Sequence, residues 1–133
     1  MCGIFGINVA PDSPLSSSEI KSLINKTFLL SERRGKDASG LLTISSSYID
    51  VLKHPMRASQ LLRSKEFKKI IATSINGYKN GESFSFIGHT RMVTGGTEYS
   101  NDNNQPVIKG NTAVVHNGII VNEKDVLREN GIS

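Results

Sequence analysis

The residue best suited to chemistry in this 133-residue sequence is Cys2, which is also its only cysteine. Removal of Met1, which a second residue as small as cysteine permits, leaves a thiol and a free α-amine on the same residue. Because α-amines titrate at about pH 8, some of the amine is neutral at pH 7 and can take the thiol proton, directly or through a water. The N-terminus therefore predicts a nucleophile that carries its own base. A buried free cysteine in a first strand is the alternative interpretation.

Two further motifs contain groups that bind or polarise a substrate. Arg91 follows an alternating strand and precedes a polar segment, 92–104, which predicts a loop that can cover a charged substrate. Asn117-Gly118 offers a side-chain amide and an unhindered backbone N–H, the two donors that an oxyanion hole needs. Each motif also has a plain interpretation, a connection without a role for the first and a hairpin turn for the second. The charged turn at 33–40 fits either the wall of a site or a surface corner.

Composition excludes several classes of protein. No stretch approaches the roughly 18 apolar residues of a membrane span, and the N-terminus lacks the basic and apolar parts of a signal peptide. We therefore expect one cytoplasmic domain without a membrane partner. A lone cysteine cannot form an internal disulfide, and His54, His89 and His116 are too far apart for a metal-binding motif. We expect neither a metal nor another cofactor.

Basic residues give the chain a formal net charge of +4 and concentrate in one run. That run consists of Lys53, Arg57, Arg63, Lys65, Lys68 and Lys69. It has no interleaved aromatic residues and matches no nucleic-acid motif, so a nucleic-acid partner is not expected. A solvated helix face is the favoured interpretation, and docking of a partner protein or a phosphorylated substrate is the alternative.

Periodicity and turn residues predict strands alternating with helices. The predicted strands lie at 3–9, 41–44, 48–52, 83–88, 106–108 and 112–115. A first helix should begin after Ser16, whose capping-box partner is Glu19, and end near Glu32. Its expected apolar stripe consists of Ile20, Leu23, Ile24, Thr27, Phe28 and Leu30. A second helix should cover 65–75, and Asn122 should cap a last helix that stops at Gly131.

Four motifs in this order resemble the signatures of class II glutamine amidotransferases, which use an N-terminal nucleophile. They are Met-Cys-Gly-Ile-Phe-Gly at 1–6, Arg-Gly-Lys-Asp-Ala-Ser-Gly at 34–40, Gly-His-Thr-Arg at 88–91 and His-Asn-Gly at 116–118. Within this class the motifs resemble those of the glutaminase domains of glucosamine-6-phosphate synthase and glutamine phosphoribosylpyrophosphate amidotransferase, and are less like those of asparagine synthetase. The resemblance implies an α+β fold, a four-layer αββα sandwich of the N-terminal nucleophile hydrolase type. Residues 1–133 would form its N-terminal portion, incomplete at the C-terminus.

The resemblance also implies a reaction, the hydrolysis of L-glutamine to glutamate and ammonia through a thioester on the N-terminal cysteine. The implied catalytic residues are Cys2, with its own amine as base, and Asn117 and Gly118, which would bind the oxyanion. The implied substrate-binding residues are Arg91 for the α-carboxylate, Thr94 from the loop, and Arg34 with Gly35 beside Cys2. The ammonia would pass to a synthetase domain or a partner chain, and a homo-oligomer is compatible with this.

Two departures from the family pattern modify these expectations. Met92 and Gly95 stand where hexosamine-forming relatives carry Trp and His. The acidic residue that binds the glutamine amine in the family would lie beyond Ser133. We therefore expect this chain alone to be a poor glutaminase unless the remainder of its gene product, another chain or one of three acids supplies that ligand. The three acids are Asp37, Glu98 and Asp102.

Two other functions compete with this interpretation. One is a truncated or degenerate amidotransferase domain that binds a partner or glutamine without turning it over. The other is a papain-like thiol hydrolase that uses Cys2 with His116 and Asn117. We disfavour the second because consecutive strand residues point to opposite faces of a sheet.

Overall fold

A computed structural model describes residues 1–46, 48–79, 81–94 and 96–132. Its strands are β1 (Gly3–Val9), β2 (Ala38–Ile44), β3 (Ile49–His54), β4 (Phe84–Arg91), β5 (Val107–Lys109) and β6 (Thr112–Val114). Its helices are α1 (Ser17–Glu32), α2 (Ala58–Leu61), α3 (Lys65–Lys79) and α4 (Glu123–Glu129). The antiparallel sheets and separate helices are compatible with the predicted α+β class.

The main sheet is antiparallel, with strand order β1-β4-β2-β3. Gly3 at the start of β1 pairs with Thr90, and Ala38 at the start of β2 pairs with Arg91. The N-terminus, the end of β4 and the start of β2 therefore lie side by side at one end of the sheet. Cys2 emerges at this end, next to Arg91.

One face of the main sheet packs against α1, α2 and α3 to form the core. Its centre is aromatic: the ring of Phe28 from α1 lies edge-on to Phe5 and Phe86, with centroids 4.8 Å and 5.7 Å away. Phe28 and Phe86 are almost completely buried, and burying a side chain of this size contributes about 1.5–3 kcal/mol. This packing fixes β1 and β4, the strands that lead to Cys2 and Arg91.

The capping box predicted for α1 is present, and the helix has the predicted limits. The Ser16 hydroxyl accepts a hydrogen bond from the Glu19 backbone, and the Glu19 carboxylate accepts one from the Ser16 backbone at 2.8 Å. The hydrogen bonds to Ser16, side chain and then backbone, hold the pKa of Glu19 below its usual value. The predicted boundaries were right because this signal is local.

The predicted apolar stripe of α1 was wrong at two positions. Leu23 is 39% exposed and Leu30 is 60% exposed, whereas Ser31 is buried. The buried side runs along Ile20, Ile24, Phe28 and Ser31, and at 100° per residue Leu23 and Leu30 fall on the flank of that side. Which flank of an amphipathic helix faces the sheet is decided by packing rather than by hydrophobicity.

Ser31 ties the end of α1 to the sheet beneath the N-terminus. Its hydroxyl lies 2.9 Å from the Thr90 hydroxyl, which also donates to the Ser31 carbonyl at 2.7 Å. A Cβ at Gly3 would lie 2.0 Å from the Ser31 hydroxyl oxygen. The residue after Cys2 must therefore be glycine for β1 to come this close to α1.

Several other boundaries differ from prediction. β4 continues through Arg91, so His89, Thr90 and Arg91 lie within the strand rather than beyond it. α3 extends to Lys79, and the unpredicted helix α2 has only four residues, too few to give a periodic signal. The predicted hairpin partner of β2 forms at Ile49–His54 and pairs with β2 in antiparallel register.

The basic run does not form a single helix face. Lys65, Lys68 and Lys69 are exposed on α3, but Lys53 lies on β3 and Arg57 precedes α2. No helix within the described ranges is long and apolar enough to span a membrane.

The other face of the main sheet is apolar and only partly covered. The small sheet β5–β6 lies opposite it, and an open groove of about 380 Å³ separates Leu42 and Ile87 on one side from Ile108 and Ala113 on the other. Ile49, at the edge of this face, remains 64% exposed. The face therefore offers packing surface beyond what β5 and β6 cover.

Candidate active site

Three chain segments meet at the backbone and thiol of Cys2. The Cys2 N–H donates to the Asn117 side-chain carbonyl at 3.0 Å, and the Arg34 guanidinium donates through Nε to the Cys2 carbonyl at 3.2 Å. The thiol lies 3.7 Å from the Met92 carbonyl. Because an N–H can only donate, the contact identifies Oδ1 of Asn117 as the acceptor, and Nδ2 is the donor that the amide can offer to a ligand.

In the form of the chain that retains Met1, this residue is 72% exposed. Its amine donates to the Met92 sulfur at 3.0 Å. In this form the nitrogen of Cys2 is part of a peptide bond and cannot act as a base. The exposure of Met1 leaves it open to an aminopeptidase.

The turn after α1 holds the backbone on both sides of Arg91. The Asp37 N–H donates to the Arg91 carbonyl at 3.0 Å, and the Asp37 carboxylate accepts from the Val93 N–H at 2.8 Å. A Cβ at Gly35 would lie 2.4 Å from the Arg91 carbonyl carbon. Gly35 and Asp37 thus support the backbone at Arg91.

The Arg91 side chain is almost completely buried, with 7% of its surface exposed. Its Nη1 donates to the Thr97 carbonyl at 3.0 Å and to the Asn104 side-chain carbonyl at 2.9 Å. Asn104 is itself only 1% exposed, although it lies in the polar segment that predicts a loop able to cover a substrate. Sequence reasoning missed Asn104 because nothing distinguishes it from Asn101 and Asn103, its polar neighbours.

The loop prediction itself was correct. Among the described residues between Arg91 and Val107 there is no helix or strand. Gly95, one of the departures from the family pattern, lies outside the described residues.

A cleft of about 350 Å³ opens between this loop and the segment after β6. Cys2, Arg91, Thr94 and Gly118 line it, and an adjoining cleft of about 270 Å³ also contains Asn117. Five of the seven predicted site residues therefore border one continuous region. The other two, Arg34 and Gly35, contact the backbones of Cys2 and Arg91 instead of lining the cleft.

Two ionisable residues outside the seven predicted site residues line the cleft, and one of them, His116, is the histidine that the thiol-hydrolase alternative combines with Cys2. Glu123, the first residue of α4, lines the cleft, whereas Glu98 and Asp102 are not among the lining residues. His116 also lines it. The argument that His116 and Asn117 must point to opposite faces was wrong, because β6 ends at Val114 and the alternation of a strand does not apply. Within the described ranges no hydrogen bond joins the His116 ring to the thiol.

His89 lies inside β4 and is completely buried. In the described part of the chain neither ring nitrogen has a hydrogen-bond partner. Burial lowers the pKa of His89 to about 4, opposed by the nearby His116 backbone and reinforced by the positive charge of Arg91. The imidazole is therefore neutral at pH 7 and is not a source of charge for the cleft.

The buried His89 predicts a loss of stability between pH 7 and pH 5. The unfolded chain takes up a proton below about pH 6.5 that the folded chain does not, so the free energy of unfolding should fall by about 2 kcal/mol by pH 5. Urea unfolding of the wild type and of His89→Leu at the two pH values measures this. The variant should lose much less stability, and equal losses in both proteins would contradict a depressed pKa for His89.

No group of three or more His, Cys, Asp and Glu side chains able to hold a metal ion occurs within the described residues. The groups at the clefts include the Cys2 thiol, the Arg91 guanidinium, the Asn117 amide and the Gly118 backbone N–H, together with the side chains of His116 and Glu123.

The arrangement of this site agrees with that of the class II glutamine amidotransferases. It combines a cysteine at the second position, an arginine at the end of the adjacent strand and an Asn-Gly pair at the cysteine nitrogen. No protein-family model matches the chain. Relatives do: the chain is 33% identical to a glutamine–fructose-6-phosphate aminotransferase of Sulfurisphaera tokodaii, 31% to that of Sulfolobus acidocaldarius and 33% to that of Helicobacter pylori.

Each alignment covers 97% of this chain but only 19–20% of the relative, so the chain spans about a fifth of these proteins. The N-terminal domain of these enzymes is a class II glutamine amidotransferase domain. This chain is homologous to enzymes that carry that domain, and the resemblance predicted from its four motifs is confirmed.

Proposed function

We propose that this chain is a glutaminase unit that hydrolyses L-glutamine to glutamate and ammonia through Cys2. The observation that carries the proposal is the meeting of Cys2, Asn117, Gly118 and Arg91 at one cleft, although 115 residues separate Cys2 from Asn117. A cleft of about 350 Å³ falls in the range of about 300–1,000 Å³ that small-molecule sites occupy.

Arg91 binds the α-carboxylate of glutamine in this proposal. A guanidinium pairs with a carboxylate through parallel hydrogen bonds, and its burial strengthens the pairing by reducing competition from water. Thr94 contacts the same substrate from the loop. Arg34 and Gly35 act indirectly, by holding the backbones of Cys2 and Arg91.

Once Met1 is removed, the α-amine of Cys2 takes the thiol proton and the thiolate attacks the side-chain carboxamide carbon of glutamine. The Asn117 Nδ2 and the Gly118 N–H stabilise the oxyanion that forms. The contact between the Cys2 nitrogen and Asn117 Oδ1 supports this assignment, because it holds the Asn117 amide beside the nitrogen that becomes the α-amine when Met1 is removed.

The tetrahedral intermediate collapses when its carbon–nitrogen bond breaks and the protonated amine returns its proton to the leaving group, which departs as ammonia. The product is a γ-glutamyl thioester on Cys2. A water then gives a proton to the amine and attacks the thioester, the carbon–sulfur bond breaks, and glutamate is released while the thiolate regains a proton.

The ammonia passes to a synthetase domain or partner chain. The names of the relatives describe transfer from glutamine to fructose 6-phosphate, which makes a sugar phosphate the first acceptor to test. The proposed fold is the four-layer αββα sandwich, in which a second sheet covers the apolar face that β5 and β6 leave partly open.

A glutamine-mimicking electrophile, 6-diazo-5-oxo-L-norleucine, tests this proposal. We expect one adduct per chain, located on Cys2 by peptide mass analysis, together with release of glutamate and ammonia from glutamine. Cys2→Ala should show neither. If the wild type binds glutamine but is not labelled by the electrophile, the chain is instead the non-catalytic binding module.

The His116→Ala substitution distinguishes the proposed mechanism from that of a papain-like thiol hydrolase, in which His116 would be the base. Turnover should remain within a few-fold of wild type if the amine of Cys2 is the base. A loss of about 10²-fold or more, the usual effect of removing a general base, would favour His116 in that role.

A further inference from the structure

We propose that Asn104 is a positioning residue that orients the Arg91 guanidinium for a substrate carboxylate and couples that orientation to the fold of the loop 97–104. The inference rests on the proposed function, in which Arg91 binds the α-carboxylate of glutamine.

The contacts of the Asn104 side chain admit one orientation. Its Oδ1 accepts from Arg91, while its Nδ2 donates to the Glu98 carbonyl at 2.6 Å and to the Asn101 side-chain carbonyl at 3.2 Å. Flipping the amide would set its donor against the guanidinium and its acceptor against two carbonyl oxygens. At 1% exposure, water cannot replace the lost hydrogen bonds. The amide is therefore locked in place.

The same contacts define the plane of the guanidinium. Nη1 carries two hydrogens, and the Thr97 carbonyl and Asn104 Oδ1 accept one each. Two acceptors on one nitrogen fix the rotation of a planar group, which is the property that a two-point pairing with a carboxylate requires. Arg91 also lines the cleft that contains Cys2, so this fixed plane borders the space where a substrate would bind.

The chemical type of Asn104 suits this task. A neutral amide orients a guanidinium without cancelling its positive charge, whereas a carboxylate at the same place would form a buried ion pair and compete with the substrate. The polar segment thus supplies an acceptor that leaves the attraction of Arg91 for an anion intact.

Asn104 also ties Arg91 to the loop. The Thr97 and Glu98 carbonyls and the Asn101 side chain all accept from the Arg91–Asn104 pair, and the Asn104 N–H donates to the Asn101 carbonyl at 3.2 Å. The loop from Thr97 to Asn104 is therefore folded around the guanidinium. A substrate carboxylate that binds Arg91 therefore also affects the conformation of this loop.

The test compares Asn104→Asp and Asn104→Ala with wild type, in the protein as expressed from its own gene with Met1 removed. Tyr99→Ala is the matched control, because Tyr99 lies in the same loop with 79% of its surface exposed. Steady-state glutamine hydrolysis gives KM and kcat, and the rate of Cys2 alkylation by uncharged iodoacetamide reports the thiol alone.

We expect Asn104→Asp to raise KM for glutamine by about tenfold or more, because the new carboxylate competes for Arg91. Asn104→Ala should raise KM by a smaller factor. In both variants kcat and the alkylation rate should stay within a few-fold of wild type, and Tyr99→Ala should resemble wild type in every measurement.

If KM rises while kcat and the alkylation rate fall by similar factors, Asn104 merely maintains the fold, and the positioning role is overturned. An unchanged KM in Asn104→Asp, with an active wild type, would overturn it too while leaving the proposed function standing. A wild type that neither binds nor hydrolyses glutamine would instead overturn the proposed function, and this inference with it.

Discussion

A form of the protein that keeps any residue before Cys2 is expected to hydrolyse glutamine at least about 10²-fold more slowly than the form that begins at Cys2. The nitrogen of Cys2 is a peptide nitrogen while Met1 is attached, so it cannot accept the thiol proton, and a general base contributes about 10²–10⁴ in rate. Met1 also lines one of the two clefts that Cys2 borders and would obstruct a substrate there.

Two preparations that differ only at the N-terminus measure this effect. One carries a short peptide before Cys2, and in the other a protease has removed that peptide so that Cys2 is first, as intact mass verifies. Acetylating the freed amine should return the second preparation to the slow rate. Equal turnover before and after removal would mean that another group, with His116 the first to examine, takes the thiol proton.

Substitutions at Arg91 and Asn117 should impair different stages of the reaction. Arg91→Lys keeps a positive charge but loses the planar fork, and a charge-assisted hydrogen bond is worth about 1.5–3 kcal/mol. KM for glutamine should therefore rise by about tenfold or more, with little change in kcat. Asn117→Ala should leave KM nearly unchanged and lower kcat by about 10²–10³, the usual effect of losing an oxyanion donor.

Arg128→Lys is the matched control for the first substitution, because it makes the same chemical change on an exposed side chain of α4. It should behave like the wild type. Alkylation of Cys2 by an uncharged reagent should proceed normally in Arg91→Lys. If KM rises and kcat falls by similar factors in both Arg91→Lys and Asn117→Ala, the roles have been assigned wrongly.

Local signals in the sequence determined the parts of this protein that depend on neighbouring residues. The capping box at Ser16 and Glu19 set the start of α1, and strand alternation predicted β1 and most of β4. The four family motifs identified the class, and they contain every predicted site residue that lines the clefts except Thr94. These signals succeed because hydrogen bonds between residues three or four apart, and side chains two apart, act over short distances.

Only the tertiary structure decided what surrounds those residues. Antiparallel pairing brings Gly3 opposite Thr90, and Asn117 lies 115 residues from the Cys2 nitrogen that it contacts. Asn104 is buried against Arg91, although its sequence neighbours Asn101 and Asn103 are of the same type. His89 is also buried, and within the described residues its ring nitrogens have no hydrogen-bond partner. Burial and contact over such separations depend on how the sheet, helices and loop pack together, and no pattern of adjacent residues specifies that packing.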